Sequence, residues 1–190
     1  MPKILAHKFL PKDAEYSIYH DCNYQLRVSP NEIIDLVAYE QQWASYRHPA
    51  RSCVYDEARI VMEHCPLIPR DEVQRQIERY RAEGFPEKAG LWANGFLVRR
   101  HTPEVAALNE AWWNVFKDGC ARDQLAFPVA RHAMKANTRT LEGNVFASQY
   151  TIHRWHAAWK DKDDNPNFWK QRDELRRELK ARSIYGFPDY

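Results

Sequence analysis

Apolar positions along the chain recur with two different periods, and the change of period marks the elements. From Glu15 to His20 a run of Tyr16, Ile18 and His20 against Ser17 and Tyr19 predicts a strand, with apolar residues on both faces and so cover expected on both. Asp21, Cys22 and Asn23 then predict a turn or strand end. Ser29 is an N-cap candidate, Pro30 fits a first helical position and Glu32 completes a capping box, with Ile33, Ile34, Val37 and Ala38 as the apolar face of the helix. A second helix is predicted from Val54 to Glu63. A third runs from Arg70 to Glu83, where Val73, Ile77 and Tyr80 form one stripe and Gly84 is the stop. Leu91 to Arg99 predicts a strand, and Thr102-Pro103-Glu104 opens a helix reaching about Phe116. After an Asp118-Gly119 turn, a shorter helix covers Asp123 to Met134, with a distortion expected at Pro128. Asn137 to Gln149 reads as loop and short strand. Asn165 to Ala181 reads as a charged helix carrying Phe168, Trp169, Leu175 and Leu179. Strands alternating with helices predict an α/β layer fold.

Composition narrows the picture. The 190 residues are 44% hydrophobic, enough for one domain with a sizeable core, or a domain plus a tail. A formal net charge of +2 is too small to imply nucleic acid by itself. The four cysteines make no C-x-x-C pair and no zinc-finger spacing, so they are expected as buried thiols in a reducing, cytoplasmic setting. No apolar run approaches a membrane span, and no secretory signal is expected. Ile4, Leu5, Phe9 and Leu10 lie near the start and require burial.

Four constellations can carry chemistry. Asp21-x-Asn23 at a strand end can present two oxygen ligands to a hard divalent cation, although Asx residues also build ordinary turns. Asp123, in Arg122-Asp123-Gln124, stands at a helix start; its plain reading is a cap, its chemical reading a general base oriented by Arg122. His48-Pro49-Ala50-Arg51, with Tyr55 and Glu57 close behind, can hold phosphate or sugar hydroxyls, or be a surface loop with a structural His. His153 and His156 are spaced to share one helical face. Most of the 25 aromatic residues are expected in the core.

These pieces occur in an order that resembles a glycosyltransferase-like family, formerly a domain of unknown function, found in plant polysaccharide-synthesis proteins and in bacterial and viral glycan loci. PKILAHKFLP resembles its lead-in, with Ala6 where the family usually has Pro. YSIYHDCNYQL, YRHPARSCVYDEA, GLWANGFLVRRH and WWNVFKDGCARDQLAFP are similar to its four following blocks, so the resemblance covers roughly residues 2 to 130. Cys22 stands where the family usually has Gly. The family's usual amino-terminal portion, with the first strands and much of the nucleotide pocket, is missing from this sequence.

The resemblance implies an α/β, truncated GT-A-like fold, with a small mixed central sheet flanked by helices. Residues 1–160 are expected to form the catalytic domain, and residues 161–190 a charged helix and tail. It implies a nucleotide-sugar donor, a glycan or other hydroxyl acceptor, and Mn²⁺ or Mg²⁺. Asp21 and Asn23 become counterparts of a metal-binding pair, with His153 as a candidate third ligand. Asp123 becomes the acid near the acceptor, beside Arg122. Lys3, His48, Arg51, Trp92 and Gln124 are the candidate substrate contacts, Trp92 by stacking on a sugar, as are Trp112 and Trp113. A homo-oligomer or a partner chain is expected to supply the missing nucleotide pocket, unless the carboxy-terminal helix folds back over the early apolar residues. The competing readings are a non-catalytic glycan- or nucleic-acid-binding module, suggested by the basic and aromatic HRWHAAWK, and a glycosyltransferase acting on viral DNA bases.

Overall fold

The chain, seen in a computed structural model, is described for residues 2–38, 41–146 and 148–153. HRWHAAWK beyond His153, the helix expected over 165–181 and the division at residue 160 lie outside these residues.

A four-stranded mixed sheet organises the described part. Its strands are β1 (Tyr16–His20), β4 (Trp92–Arg100), β3 (Trp43–Arg47) and β5 (Arg139–Thr140), side by side in that order. β4 is antiparallel to both β1 and β3, and β5 runs parallel to β3. A separate antiparallel pair joins β2 (Tyr24–Leu26) to β6 (Thr151–His153). Around them lie α1 (Ala6–Phe9), α2 (Pro30–Ile34), α3 (Val54–His64), α4 (Arg70–Ala82), α5 (Pro103–Lys117) and α6 (Asp123–Ala133). The expected α/β class with a mixed, helix-flanked sheet is therefore the observed one.

Local chemistry explains most boundaries. Ser29 and Glu32 form the full capping box on α2, which changes after one turn to a 3₁₀ turn over Asp35–Val37. Thr102 caps α5 through Val105 N, with Pro103 behind it. Gly84, at φ +74°, takes the left-handed conformation that ends α4. Pro128 is tolerated inside α6.

The sheet buries both faces. On one, Trp92 and Leu97 of β4 and Trp43 of β3 meet Ile4, Leu5, Val105, Leu108, Trp112, Ala126 and Phe127. Phe127 stacks on Trp43 at 4.4 Å and meets Trp92 and Trp112 edge-on. On the other, Phe96, Val98, Ala44 and Tyr46 meet Tyr24, Ile33, Val37, Leu141 and Val145. A third cluster joins α3, α4 and α6 through Val54, Ala58, Val61, Val73, Ile77, Tyr80 and Leu125.

Several expectations are corrected. β1 has cover on both faces as expected, Tyr19 against one cluster and Tyr16 and Ile18 against the other, but as an edge strand it stays partly exposed. Ile4 and Leu5 are buried as expected, whereas Phe9 and Leu10 at the end of α1 are exposed. All four cysteines are free, and Cys22 is on the surface. His153 belongs to a strand rather than a helix, and His156 lies outside the described residues.

One irregularity shapes the molecule. β3 and β4 are in register from Trp43 to Ser45, opposite Arg99 to Leu97; the next pair is Tyr46 with Ala93. Asn94, Gly95 and Phe96 are thus extra residues of β4, forming a bulge. The Ser45 hydroxyl lies 3.1 Å from Ala93 O and 2.8 Å from Phe96 O, clasping both ends of it. Asp21 N donates to Gly95 O at 2.9 Å, so the turn after β1 hangs on the same bulge. Ser45→Ala removes the clasp inside the core. We expect a loss of about 1–3 kcal/mol in urea unfolding; unchanged stability would mean that the bulge holds itself.

Candidate active site

The bulge forms the floor of a cleft of about 260 Å³, lined among others by Lys3, Asp21, His48, Asn94, Gly95, Arg122, Asp123 and Gln124. Its residues come from segments far apart in the chain, and each is held by identifiable contacts.

Asp21 follows β1. Its Oδ1 accepts from the Tyr19 hydroxyl at 2.7 Å. A Cβ added at Gly95 would come within 3.0 Å of Asp21 Oδ2 and of the Tyr24 ring, so the missing side chain there is what lets the carboxylate lie against the bulge. Burial first, then the Asp21 bond and the charges of Asp21 and Asp123, hold the Tyr19 hydroxyl protonated well above its ordinary range. Tyr19 is therefore a fixed donor.

Asp123 opens α6, but not as a cap. Arg122 occupies the N-cap position and no side-chain cap is made. The Asp123 backbone carbonyl accepts from Trp112 Nε1 at 3.3 Å and Asn94 Nδ2 at 3.5 Å. Its carboxylate meets Lys3 Nζ at 2.8 Å, and the same ammonium stands 3.9 Å from Asp21 Oδ1. Lys3 thus bridges the two cleft carboxylates. It reaches them because the fully buried guanidinium of Arg99 grips the segment behind it, donating to Lys3 O at 2.5 Å and Ile4 O at 3.3 Å. Burial without a carboxylate partner lowers Arg99 to about 9.

The third wall is built on a buried acid. Glu57 of α3, 1% exposed, meets Arg51 Nε at 2.6 Å, Arg122 Nη2 at 3.2 Å and His48 Nε2 at 3.6 Å. Burial pushes its carboxyl up; His48, Arg51 and Arg122 pull it down and prevail, leaving it below its ordinary value. His48 Nδ1 accepts from the backbone N–H of Ala50 and Arg51, and Nε2 lies between Arg51 Nη2 at 3.2 Å and Glu57 Oε2 at 3.6 Å. Burial drives His48 down to about 4; Arg51 and Arg122 add to the fall and Glu57 only opposes it. The loop before α6 is fixed from the other side. Cys120 N donates to Gln76 Oε1 at 2.9 Å, and a Cβ at Gly119 would strike the Gln76 amide at 2.6 Å.

Of the residues expected to act, Lys3, Asp21, His48, Arg122, Asp123 and Gln124 line one cleft. Arg51 stands behind it as a counterion of Glu57. Asn23 lies in the Asp21 turn but does not line the cleft. The backbone of His153 pairs with Tyr24, the residue after Asn23. Trp92 is not available for a sugar: it is 1% exposed and covered by the guanidinium groups of Arg47 and Arg131. Trp112 is buried, and Trp113 stacks on Phe116. Sequence reasoning placed Glu57 beside the His48–Arg51 loop but not as its buried counterion, and it missed Asn94 and Gly95 as parts of the site. An isolated Gly inside a strand pattern was the available signal for the last two.

Among the described residues, no three His, Cys, Asp or Glu side chains gather as a ready cage for a metal ion. The donor set fits a looser arrangement. Mg²⁺-like ions bind through one or two carboxylates and complete their shell with water and substrate phosphate oxygens. Asp21 and Asp123, which share one ammonium, offer such a pair, and Asp21 is the more exposed of the two.

These blocks place the chain in a known group. Residues 1–153 match the TOD1/MUCI70 glycosyltransferase-like domain, and the chain belongs to that family. A particular relative is a probable hexosyltransferase, MUCI70 of Arabidopsis thaliana, 23% identical over 175 residues. The alignment covers 85% of this chain and 30% of that protein, so the chain spans about a third of its relative's length. No solved structure matches. Among the described residues, no helix is long and apolar enough to cross a membrane.

His48 gives the wall a pH signature. The unfolded imidazole takes a proton near pH 6.5 and the folded one only near 4, so the unfolded state binds more protons between these values. Stability is full above pH 6.5 and falls as pH drops toward 4, by roughly 3 kcal/mol at most. Glu57, depressed when folded, adds its own loss at more acid pH. His48→Asn keeps an acceptor for the two backbone N–H groups and should flatten thermal-unfolding curves between pH 6.5 and 5. An unchanged slope would remove His48 as the cause.

Proposed function

We propose that this cleft is the transfer site of a metal-dependent glycosyltransferase using a nucleotide-sugar donor. The carrying observation is convergence: each of the five sequence blocks sends at least one residue into the same cleft. Lys3, Asp21, His48, the Asn94-Gly95 bulge and the Arg122-Asp123-Gln124 run are their contributions. A fold that needed these blocks only for packing would not gather their polar members around one opening.

In this reading Asp123 takes the proton of an acceptor hydroxyl as that oxygen bonds to the anomeric carbon. The bond from the anomeric carbon to the donor's phosphate oxygen breaks, and the electron pair leaves on the diphosphate. Arg122, held by Glu57, and Lys3, held between two carboxylates, lie where they can meet the new negative charge. When the donor arrives, Lys3 exchanges a carboxylate for phosphate oxygens and frees Asp123 for the acceptor. Asp21, with a donor phosphate, would hold Mn²⁺ or Mg²⁺, which would supply further neutralisation of the leaving group. Gln124, whose Nε2 lies 3.5 Å from Trp92 O, is left to read a hydroxyl group, while His48, with both ring nitrogens engaged, shapes the wall beside it. A hexose donor accords with the name of the Arabidopsis relative.

Uridine or guanosine diphosphate with Mn²⁺ is expected to raise the melting temperature, and Asp21→Ala to abolish that shift while leaving the fold intact. Asp123→Asn is expected to keep the shift but lower sugar transfer roughly 10²–10⁴-fold. Stabilisation that survives Asp21→Ala unaltered would defeat the metal assignment. Full turnover by Asp123→Asn would defeat the base.

A further inference from the structure

Away from the Asp21–Asp123 pair, two cations have no acid partner among the described residues. Arg47 ends β3 and is paired in register with Trp92; Arg131 lies in the last turn of α6. Both guanidinium groups lie over the Trp92 ring, at 4.1 and 4.8 Å from its centre. Each uses its Nε on a threonine: Arg47 on Thr140 Oγ1 at 3.2 Å, Arg131 on Thr138 Oγ1 at 2.8 Å. The Nη ends of both make no hydrogen bond or ion pair among the described residues. Several other arginines among the described residues are differently placed. Arg51, Arg59, Arg75 and Arg122 meet carboxylates, while Arg99 and Arg100 spend their Nη groups on main-chain carbonyls.

The arrangement is not explained by packing. Burial lowers the pKa of both groups, and Arg131 adds repulsion on Arg47 with no carboxylate to offset it. An aliphatic side chain would cover Trp92 without bringing two like charges together. The backbone also makes room for the pair. A Cβ at Gly90, which has φ +99°, would lie 2.2 Å from Arg47 Nη1 and 2.8 Å from the Trp92 ring. Each threonine oxygen receives an Nε–H and keeps its own proton to donate.

We propose that Arg47, Arg131 and the hydroxyls of Thr138 and Thr140 form an oxyanion subsite, which takes a phosphate or carboxylate group of a ligand. Two forks and two hydroxyl donors match the several acceptor oxygens of such a group. Arg47 and Trp92 directly precede the cleft residues His48 and Ala93, and Trp92 packs on the opposite face of the sheet from Ala93. The subsite stands whether or not the cleft transfers a sugar.

The test is a titration of the full chain, followed by the Trp92 indole N–H resonance, with inorganic phosphate, with glucuronate, and with sodium chloride at matched ionic strength. Saturable shifts with phosphate or glucuronate but not with chloride are expected. Saturation by one alone identifies the oxyanion as phosphate or carboxylate. Arg47→Gln and Arg131→Gln should each weaken binding at least roughly tenfold, and Arg47→Lys, which keeps the charge but loses the fork, by several-fold. Melting curves separate loss of the site from loss of the fold. Thr140→Val, outside the Trp92 packing, serves if either arginine variant fails to fold and should itself weaken binding. Shifts no different from those in chloride, or a folded Arg47→Gln that binds like the native chain, would overturn the proposal.

Discussion

Glu57 is a carboxylate with almost no access to water, and it stays ionised only because cations meet it from two directions. Removing either cation would leave a buried charge uncompensated, a far larger penalty than losing a surface pair. The local architecture follows from this constraint. Arg51 must reach inward from the loop after β3, which fixes the His48–Arg51 turn. Arg122 must reach inward from the loop after α5, which fixes the start of α6. The place of Asp123 is thus settled by an acid one helix away that never touches the cleft.

The opposite wall obeys a different constraint, set by backbone rather than charge. Three extra residues in β4 cannot be absorbed by a regular ladder, so Asn94 and Gly95 line the cleft while Phe96 stays in the core, and Ser45 and Asp21 N hold the bulge in place. The bulge gives Asp21 a surface to lie on and lets Asn94 touch the first residue of α6. A regular β4 would carry the same residues away from the cleft. The site is therefore a joint between an electrostatic clamp and a defect in a sheet, with Lys3 closing the gap between them.

How much of this could be read beforehand depended on whether the signal was local. Ser29-Pro30-x-Glu32, Thr102-Pro103 and Gly84 marked their helix ends because capping acts within a few residues. β3 escaped notice because Trp43, Ala44, Ser45 and Tyr46 are all buried, and a strand covered on both faces shows no alternation. β2 and β6, of three residues each, are too short to show a period. Within the site, Asp21, Lys3, His48, Arg122, Asp123 and Gln124 stood out through their motifs, but their convergence was not visible in spacing. Glu57 was grouped with the His48–Arg51 loop, but its part as a buried counterion was not legible, since burial and partners are properties of the assembled fold. Trp92 misled for the same reason: an aromatic near a motif can be a platform or a core residue, and only the arginines covering it decide.

The grip of Arg99 on the main chain of Lys3 and Ile4 delivers a cleft cation through backbone contacts alone. The strap that carries the ammonium is secured by two carbonyl contacts and the burial of Ile4 and Leu5. Loss of the Arg99 guanidinium, which does not line the opening, would therefore loosen Lys3 between its two carboxylates and alter the cleft without changing any residue in its wall.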